Sequence, residues 1–478
     1  MTAGRLADVW PLTPAQEGLF FQAQLDSDGP DVYLVQCRFR VDGAVDADRL
    51  RTAVTALLTR HPNLRVCFRH NGLDRPVQVV PHRVTVPWAE VDLAGCPAAE
   101  AAARLEAVLE ADRARRFDVT RPPLVRCTLV RDPGGADLIL TLHHLLLDGW
   151  SMAIVVRELA ALYAGRAAGL PPAPPFRDYL SWLQEQDGAA AAGAWRAALA
   201  GLAQPPRVAG DAPPRGAVLP GSIERELPAG LTAAVHRRAR HTGVTVNTLV
   251  QAAWGLVLAR MTGAADVVFG AVVSGRPPEL PGVDTMVGLL VNTVPVRVRL
   301  RPGERVDQLL VRLRDEQLLL LPHHSTRLTE IRRQAGTGDL FDTLVAFENF
   351  PRGTGAPDGN GLRLVSTRDA SHLPLALTIV PGPRMWLRLQ HRPDCFAPAE
   401  AELVVERFTH ALELLAADPG AEAHRLEVLP EPERRLVLRT WNGAARAVPP
   451  GSVLDRFRGQ VHRTPDAPAV QAGDRILS

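Results

Sequence analysis

The most informative stretch of the chain reads HHLLLDGWS and spans residues 143–151. Residues 138–142 precede it as a short apolar run after a Pro-Gly-Gly turn, a pattern that predicts a buried strand. Residues 151–163 carry apolar side chains at helical spacing, with Ser151 as the candidate N-terminal cap and Gly165 as the candidate end. The two histidines therefore leave a strand and enter a tight turn before a helix, where α/β folds commonly present reactive side chains.

This turn combines two imidazoles, a carboxylate and a glycine. A neutral imidazole transfers protons well near neutral pH, so His143 and His144 are candidate acid–base residues. Asp148 either orients an imidazole or pairs with an arginine to hold the turn together. Taken alone, a pair of histidines is about as often a surface or core feature without chemistry. The wider sequence has to decide between these interpretations.

Composition and motif searches disfavour several other classes of function. The sequence has no His-Glu-x-x-His, no paired Cys-x-x-Cys and no Gly-x-Ser-x-Gly, which argues against a metal site and a serine hydrolase. The five cysteines are scattered, and a formal net charge of +2 without a basic stripe gives no support for nucleic-acid binding. No signal peptide opens the chain and no apolar run approaches membrane-spanning length, so we expect a cytoplasmic protein without a membrane partner.

The string at 143–151, in its strand and helix context, resembles the His-His-x-x-x-Asp-Gly motif of condensation domains from nonribosomal peptide synthetases. These domains belong to the chloramphenicol-acetyltransferase-like superfamily. Other stretches resemble further motifs of that family: 11–20 the first, 60–68 the second, 176–182 the fourth, 287–295 the fifth, and 347–351 a later string of the family. The matches are collinear and extend to about residue 430, so the resemblance covers nearly the whole chain.

Helix-then-strand order occurs in both halves of the sequence. An amphipathic helix at 46–61 precedes a strand at 64–68, and a helix at 244–261 precedes a strand at 267–273. This order indicates two lobes of similar build. The resemblance implies an α/β fold of two chloramphenicol-acetyltransferase-like lobes in a V arrangement, with the active-site tunnel between them.

The resemblance and the breaks in composition together predict five segments. They are a docking segment at 1–10, an N-terminal condensation lobe at 11–170, a C-terminal lobe at 176–430, a linker at 431–451 and a truncated start of an adenylation domain at 452–478. A proline-rich stretch separates the lobes. The docking segment implies that the donor carrier protein lies on a separate upstream subunit, with the acceptor carrier protein and an adjoining adenylation domain downstream.

The resemblance also implies an amide-forming acyltransferase of antibiotic and secondary-metabolite synthesis. The acceptor aminoacyl amine attacks the donor thioester while both substrates are held on phosphopantetheine arms of carrier proteins, and the domain itself binds no cofactor. We expect His144 to be catalytic, as general base or as a group that positions the amine. His143 and Asp148 are expected to be structural, Gly149 lets substrate approach the turn, and Arg65 is the implied ion-pair partner of Asp148.

Within the family, the leucine run at 145–147 and the string at 178–182 favour the subtype that takes a D-configured donor and an L-configured acceptor. The stretch at 322–328 departs from the pattern of L-donor domains. An epimerization-type domain, a non-catalytic carrier-recruiting member and a stand-alone coenzyme-A-dependent acyltransferase remain alternatives. A heterocyclization domain is disfavoured because it replaces the histidines with aspartates, whereas a non-catalytic member would be expected to lose His144.

Overall fold

A computed structural model describes residues 6–25, 29–41, 45–210, 216–349, 361–442 and 451–478. The chain divides into two compact units, Met1–Val428 and Leu429–Ser478. The larger unit contains the turn at 143–151 and all of the motif-like stretches. The positions of the candidate site residues are therefore set within the larger unit.

Among its described residues, the first part of the larger unit contains seven strands and four α-helices. In chain order its elements are β1 (Leu6–Pro11), α1 (Pro14–Leu25), β2 (Leu34–Val41), α2 (Ala47–Arg60), β3 (Cys67–Arg69), β4 (Val77–Pro81), β5 (Trp88–Asp92), α3 (Ala98–Ala114), β6 (Val125–Asp132), β7 (Gly135–His143) and α4 (Gly149–Tyr163). Short 3-10 helices occupy Pro62–Arg65 and His144–Leu146.

The second part of the larger unit contains more helix. Its elements are α5 (Phe176–Gln184), α6 (Gly188–Ala198), β8 (Gly221–Glu226), α7 (Ala229–Thr242), α8 (Val246–Thr262), β9 (Asp266–Val273), β10 (Asn292–Arg299), α9 (Val306–Leu320), α10 (Leu328–Ala335), β11 (Thr343–Phe347), β12 (Leu362–Arg368), β13 (Leu375–Val380), β14 (Trp386–His391) and α11 (Pro398–Ala417). Further 3-10 helices lie at Ala167–Gly169, Val283–Thr285, Leu321–His323 and Ala423–Arg425.

Three sheets organise these elements. A small sheet has the order β1-β4-β3, a five-stranded sheet the order β12-β2-β7-β6-β5, and a six-stranded sheet the order β10-β9-β11-β13-β14-β8. Strand β12 comes from the second half of the chain but pairs antiparallel with β2 of the first half, with Arg368 opposite Gln36. The two halves are therefore interlocked through the backbone hydrogen bonds of one sheet.

Each large sheet lies beside its own hydrophobic core. The first core gathers apolar residues of α2, α4, β2, β6 and β7, and it also takes in residues of α5 and of the segment 283–290. The second core is built mainly from α7, α8, α9 and α11 against the six-stranded sheet. Among the described residues no single helix is long and apolar enough to span a membrane, and one bent pair, α7 with α8, meets both criteria together.

Most of the predicted elements are present, and two differ at their ends. Helix α2 is capped by Asp46, and the buried strand before the histidines is β7. The predicted strand at 64–68 is shorter, because Pro62 opens a 3-10 turn and only Cys67–Arg69 is extended. Helix α4 begins at Gly149, since the cap is Asp148 and not Ser151.

The two ends of the chain add small elements. Residues 6–10 of the predicted docking segment lie in β1, which pairs with β4, and residues 1–5 lie outside the described residues. In the smaller unit α12 (Glu431–Arg435) leads into a π-helix (Leu436–Thr440), and α13 (Val453–Arg463) is followed by the hairpin of β15 (Val470–Ala472) and β16 (Arg475–Leu477). All residues from 451 to 478 are exposed.

The backbone of Gly288 packs so closely against Phe176 that no side chain fits. A Cβ atom at Gly288 would lie 2.2 Å from Cε2 of the buried Phe176 ring. We expect Gly288→Ala to lower the free energy of unfolding by about 1–3 kcal/mol, measured by urea denaturation, because overpacking displaces the core.

Gly193 in α6 is the matched control, because a Cβ atom there would meet nothing within 4 Å. Gly193→Ala should leave stability unchanged or raise it by up to about 1 kcal/mol, since alanine favours a helix. Equal losses in the two variants would contradict the steric explanation.

Candidate active site

The candidate active site is built on the turn between β7 and α4. β7 ends at His143, the 3-10 helix His144–Leu146 follows, and Asp148 caps α4. The backbone N–H of His144 donates to the carbonyl of Tyr33 at 2.8 Å. The turn is thus fixed to the residue that immediately precedes β2.

The carboxylate of Asp148 is only 1% exposed and accepts hydrogen bonds from both halves of the unit. Its Oδ1 accepts from the N–H of Ser151 at 2.8 Å, which closes the first turn of α4. Its Oδ2 accepts from the N–H groups of Leu290 at 3.0 Å and Val291 at 3.3 Å. Arg276 Nη2 lies 3.4 Å from Oδ1 and supplies the opposite charge. Asp148 therefore joins the turn to the segment before β10.

The predicted ion pair between Arg65 and Asp148 is wrong, because the cationic partner of Asp148 is Arg276. The guanidinium of Arg65 instead donates to three backbone carbonyls: Leu58 at 2.6 Å, Thr59 at 2.9 Å and Pro81 at 3.3 Å. Two of these carbonyls lie in the last turn of α2, where helix carbonyls lack intrahelical partners. Arg65 thus stabilises the end of that helix.

Side chains from two other motif-like stretches hold the leucine run of the turn. Gln16 Nε2 donates to the carbonyl of Leu145 at 2.9 Å, and Asn63 Nδ2 donates to the carbonyl of Leu146 at 3.2 Å. Both amide side chains are buried. The stretches are recognisable in the sequence but these roles are not, because the partners are backbone groups with no signature in the sequence.

The hydroxyl groups of two side chains, Ser151 and Tyr179, bind the backbone of the segment 287–291. The hydroxyl of Ser151 donates to the carbonyl of Gly288 at 2.8 Å, and the N–H of Gly288 donates to the same hydroxyl at 3.1 Å. The hydroxyl of Tyr179 donates to the carbonyl of Leu290 at 3.0 Å, and burial raises the pKa of that hydroxyl well above its usual range. The fourth and fifth motif-like stretches thus meet beside Asp148.

The two histidines of the turn have different surroundings. The ring of His143 is fully buried, and its Nδ1 accepts the N–H of Leu145 at 3.1 Å. Burial lowers the pKa of His143 to about 4, outweighing the opposite effect of the Asp31 carboxylate. His143 is therefore neutral at physiological pH and lies away from solvent.

His144 is half-buried, and its buried Nδ1 has no hydrogen-bond partner among the described residues. Between residues 143 and 149 only His144 and Gly149 are not buried. Gly149 is exposed at the first position of α4, where a backbone N–H has no partner within the helix. The turn therefore presents one imidazole and one glycine to solvent and keeps the other motif residues inside.

The remaining predicted stretch falls partly outside the described residues. Phe347 ends β11, and the N–H of Glu348 donates to the carbonyl of Ile379 at 2.8 Å. Phe350 and Pro351 are not among the described residues. Within the described part of the chain, no three His, Cys, Asp or Glu side chains are grouped in a way that suits a metal ion.

A family model described as the condensation domain matches residues 6–438. The chain belongs to this family. It is 35% identical over 489 residues to one of the linear gramicidin synthase proteins of Brevibacillus parabrevis, and the match covers 99% of this chain and 6% of that relative. This condensation domain thus corresponds to a small part of the relative's length.

Solved structures confirm the mixed α/β fold. A four-domain nonribosomal peptide synthetase bound to AMP and glycine aligns with a TM-score of 0.78 at 18% identity, covering all of this chain and 38% of that one. The first condensation domain of the calcium-dependent antibiotic synthetase aligns with a TM-score of 0.72 at 24% identity, covering 88% and 99%. The family model confirms the expected family, and the names of its relatives support the link to synthetases of antibiotics and secondary metabolites.

Removing the Asp148 carboxylate should destabilise the condensation domain strongly. We expect Asp148→Ala to lower the free energy of unfolding by about 3–5 kcal/mol, because it leaves the buried Arg276 guanidinium without its counter-charge. Urea denaturation followed by circular dichroism measures this loss.

Asp46→Ala is the matched control, since Asp46 also caps a helix, with its carboxylate accepting from the N–H of Arg49 at 2.9 Å. Loss of a cap alone should cost about 1 kcal/mol. If Asp148→Ala cost no more than Asp46→Ala, the interpretation of Asp148 as a link between the two halves would be wrong.

Proposed function

We propose that this condensation domain forms an amide bond between two thioesters held on carrier proteins. The acceptor amine attacks the donor carbonyl, so that a carbon–nitrogen bond forms and the carbon–sulfur bond breaks. The donor carrier leaves as a free thiol. The attacking amine loses one proton, which balances the proton that the thiol gains. The observation that supports this function is the partial exposure of His144, the one histidine of the turn that is not fully buried.

His144 is the proposed catalytic residue. An aminoacyl ammonium is a poor nucleophile until it loses a proton, so His144 acts as general base or holds the amine by a hydrogen bond. Two substrates tethered in one site gain much of their rate from proximity, which makes a positioning role sufficient. Gly149 leaves space for substrate beside the first backbone N–H of α4, and His143 and Asp148 support the turn.

The proposed partners follow from the same function. Both substrates arrive on phosphopantetheine arms of carrier proteins, and the domain holds no cofactor of its own. The donor and acceptor carriers are further domains of the synthetase, and an adenylation domain that begins at about residue 452 adjoins the condensation domain. Residues 1–10 contribute to docking, and the assembly works in the cytoplasm. The much greater length of the gramicidin synthase relative supports a multidomain setting.

The proposed subtype takes a D-configured donor and an L-configured acceptor, on the strength of the leucine run and the string at 178–182. Purified domain is incubated with donor carrier loaded with either configuration and with loaded acceptor carrier, and the dipeptidyl product is measured by mass spectrometry. Product from the D-donor alone supports the subtype, whereas product from the L-donor alone contradicts it.

Replacing His144 should abolish most of the activity without unfolding the domain. We expect His144→Ala to lower the rate of amide formation by about 10²–10⁴-fold, the range typical of a lost acid–base group. Thermal denaturation should show a melting temperature close to that of the parent protein, because the ring lacks a hydrogen bond to its buried Nδ1.

His410→Ala serves as the control, because His410 lies on α11 and bonds Glu413 at the surface. It should retain full activity. A fully active His144→Ala would contradict the proposed catalytic role. An inactive parent protein with correctly loaded carriers would favour the epimerization-type or carrier-recruiting alternatives, and turnover of an acyl-coenzyme A would favour a stand-alone acyltransferase.

A further inference from the structure

The residues just before β2 form a support for the two histidines. Leu34 pairs with His143 in the five-stranded sheet, so residues 31–33 run alongside the turn. The carbonyl of Tyr33 accepts the N–H of His144 at 2.8 Å. The hydroxyl of Tyr33 lies 2.9 Å from Nδ1 of His372, which belongs to the connection between β12 and β13. This support is therefore fixed by contacts from both halves of the unit.

The hydrogen bonding of His143 determines its tautomer. A backbone N–H can only donate, so the Nδ1 atom that accepts the N–H of Leu145 carries a lone pair. Burial keeps the pKa of His143 at about 4, which makes the ring neutral at pH 7. A neutral imidazole carries one ring proton, and in His143 that proton is therefore on Nε2.

The Nε2–H group of His143 faces the carboxylate of Asp31. Asp31 is 3% exposed, and its Oδ2 lies 3.6 Å from Nε2, which is too long for a hydrogen bond but close enough for strong attraction in a buried site. No described group donates to or accepts a hydrogen bond from Nε2. The second oxygen, Oδ1, accepts the N–H of Tyr33 at 3.0 Å, which holds the carboxylate in place.

We propose that Asp31 is a positioning residue that holds His143 in the Nε2–H tautomer and thereby sets the orientation of His144. The ring of His143 bonds the N–H of Leu145, so a change of tautomer would remove a bond inside the 3-10 helix that carries His144. The expected effect of Asp31 on the rate of amide formation rests on the proposed function of His144.

The first test observes the tautomer directly. Protein labelled with ¹⁵N-histidine gives ring resonances that distinguish the two tautomers, and the His143 signals are identified by their absence in His143→Gln. The unsubstituted protein should show the Nε2–H form, and the Nδ1–H form would overturn the proposal. This measurement needs no substrate and no Asp31 variant.

The second test removes the charge of Asp31. Asp31→Asn keeps the shape and an oxygen for the N–H of Tyr33, but it removes the anion that attracts Nε2–H. We expect a second His143 tautomer to appear and kcat to fall by about 10–10²-fold at unchanged KM, the scale of a small misplacement of a catalytic group. Asp31→Glu restores the charge and should recover the Nε2–H form and most of kcat.

Asp137→Asn is the matched control. Asp137 is a fully buried carboxylate on β7, six residues or roughly 20 Å before His143, and it pairs with Arg38 and Arg40. This variant should lose stability while the folded protein keeps the His143 tautomer and kcat. A similar kcat loss in Asp137→Asn, or an unchanged tautomer in Asp31→Asn, would overturn the proposal.

The two proposals fail in different ways. If His144→Ala were fully active while Asp31→Asn still changed the tautomer, the role of His144 would be wrong and the positioning of His143 would stand. If His144→Ala were inactive while Asp31→Asn kept both tautomer and kcat, the positioning role of Asp31 would be wrong.

Discussion

The arrangement of the site depends on one buried carboxylate. Asp148 is withdrawn from water, which costs several kcal/mol unless donors replace the lost solvation. Its four donors come from the first turn of α4, from the backbone at 290–291 and from Arg276. The carboxylate is therefore satisfied only when both halves of the unit are in place. Formation of the histidine turn is in this way coupled to the packing of residues that lie far away in the sequence.

Helices and strands with local signals could be predicted from the sequence. Contacts between residues that lie far apart in the chain could not. Helices α2 and α8 lie within two residues of their predicted bounds, because apolar periodicity and flanking caps are encoded in adjacent residues. Arg276 is separated from Asp148 by 128 positions and follows no motif, so nothing near the turn identifies it as the partner. Arg65 is not the partner of Asp148, because its guanidinium donates to two carbonyls at the end of α2 and to the carbonyl of Pro81.

The motif-like stretches have a common physical basis in backbone hydrogen bonding. Gln16, Asn63 and Tyr179 lie on three different stretches, yet each donates to a carbonyl of the turn or of the segment beside it. Buried carbonyls outside regular strands require donors, and these side chains supply them. These stretches indicate from the sequence where the candidate site lies, whereas the carbonyl that each side chain serves depends on the fold.

The contrast between His143 and His144 arises from the backbone and not from residue type. The end of β7 directs His143 into the core, where burial leaves the ring neutral and the N–H of Leu145 leaves its one proton on Nε2. His144 begins the following 3-10 helix and is only half-buried. The proposed roles require a proton acceptor that substrate can reach and a supporting group that is fixed. Adjacent histidines satisfy these opposite requirements because the chain changes from strand to helix between them.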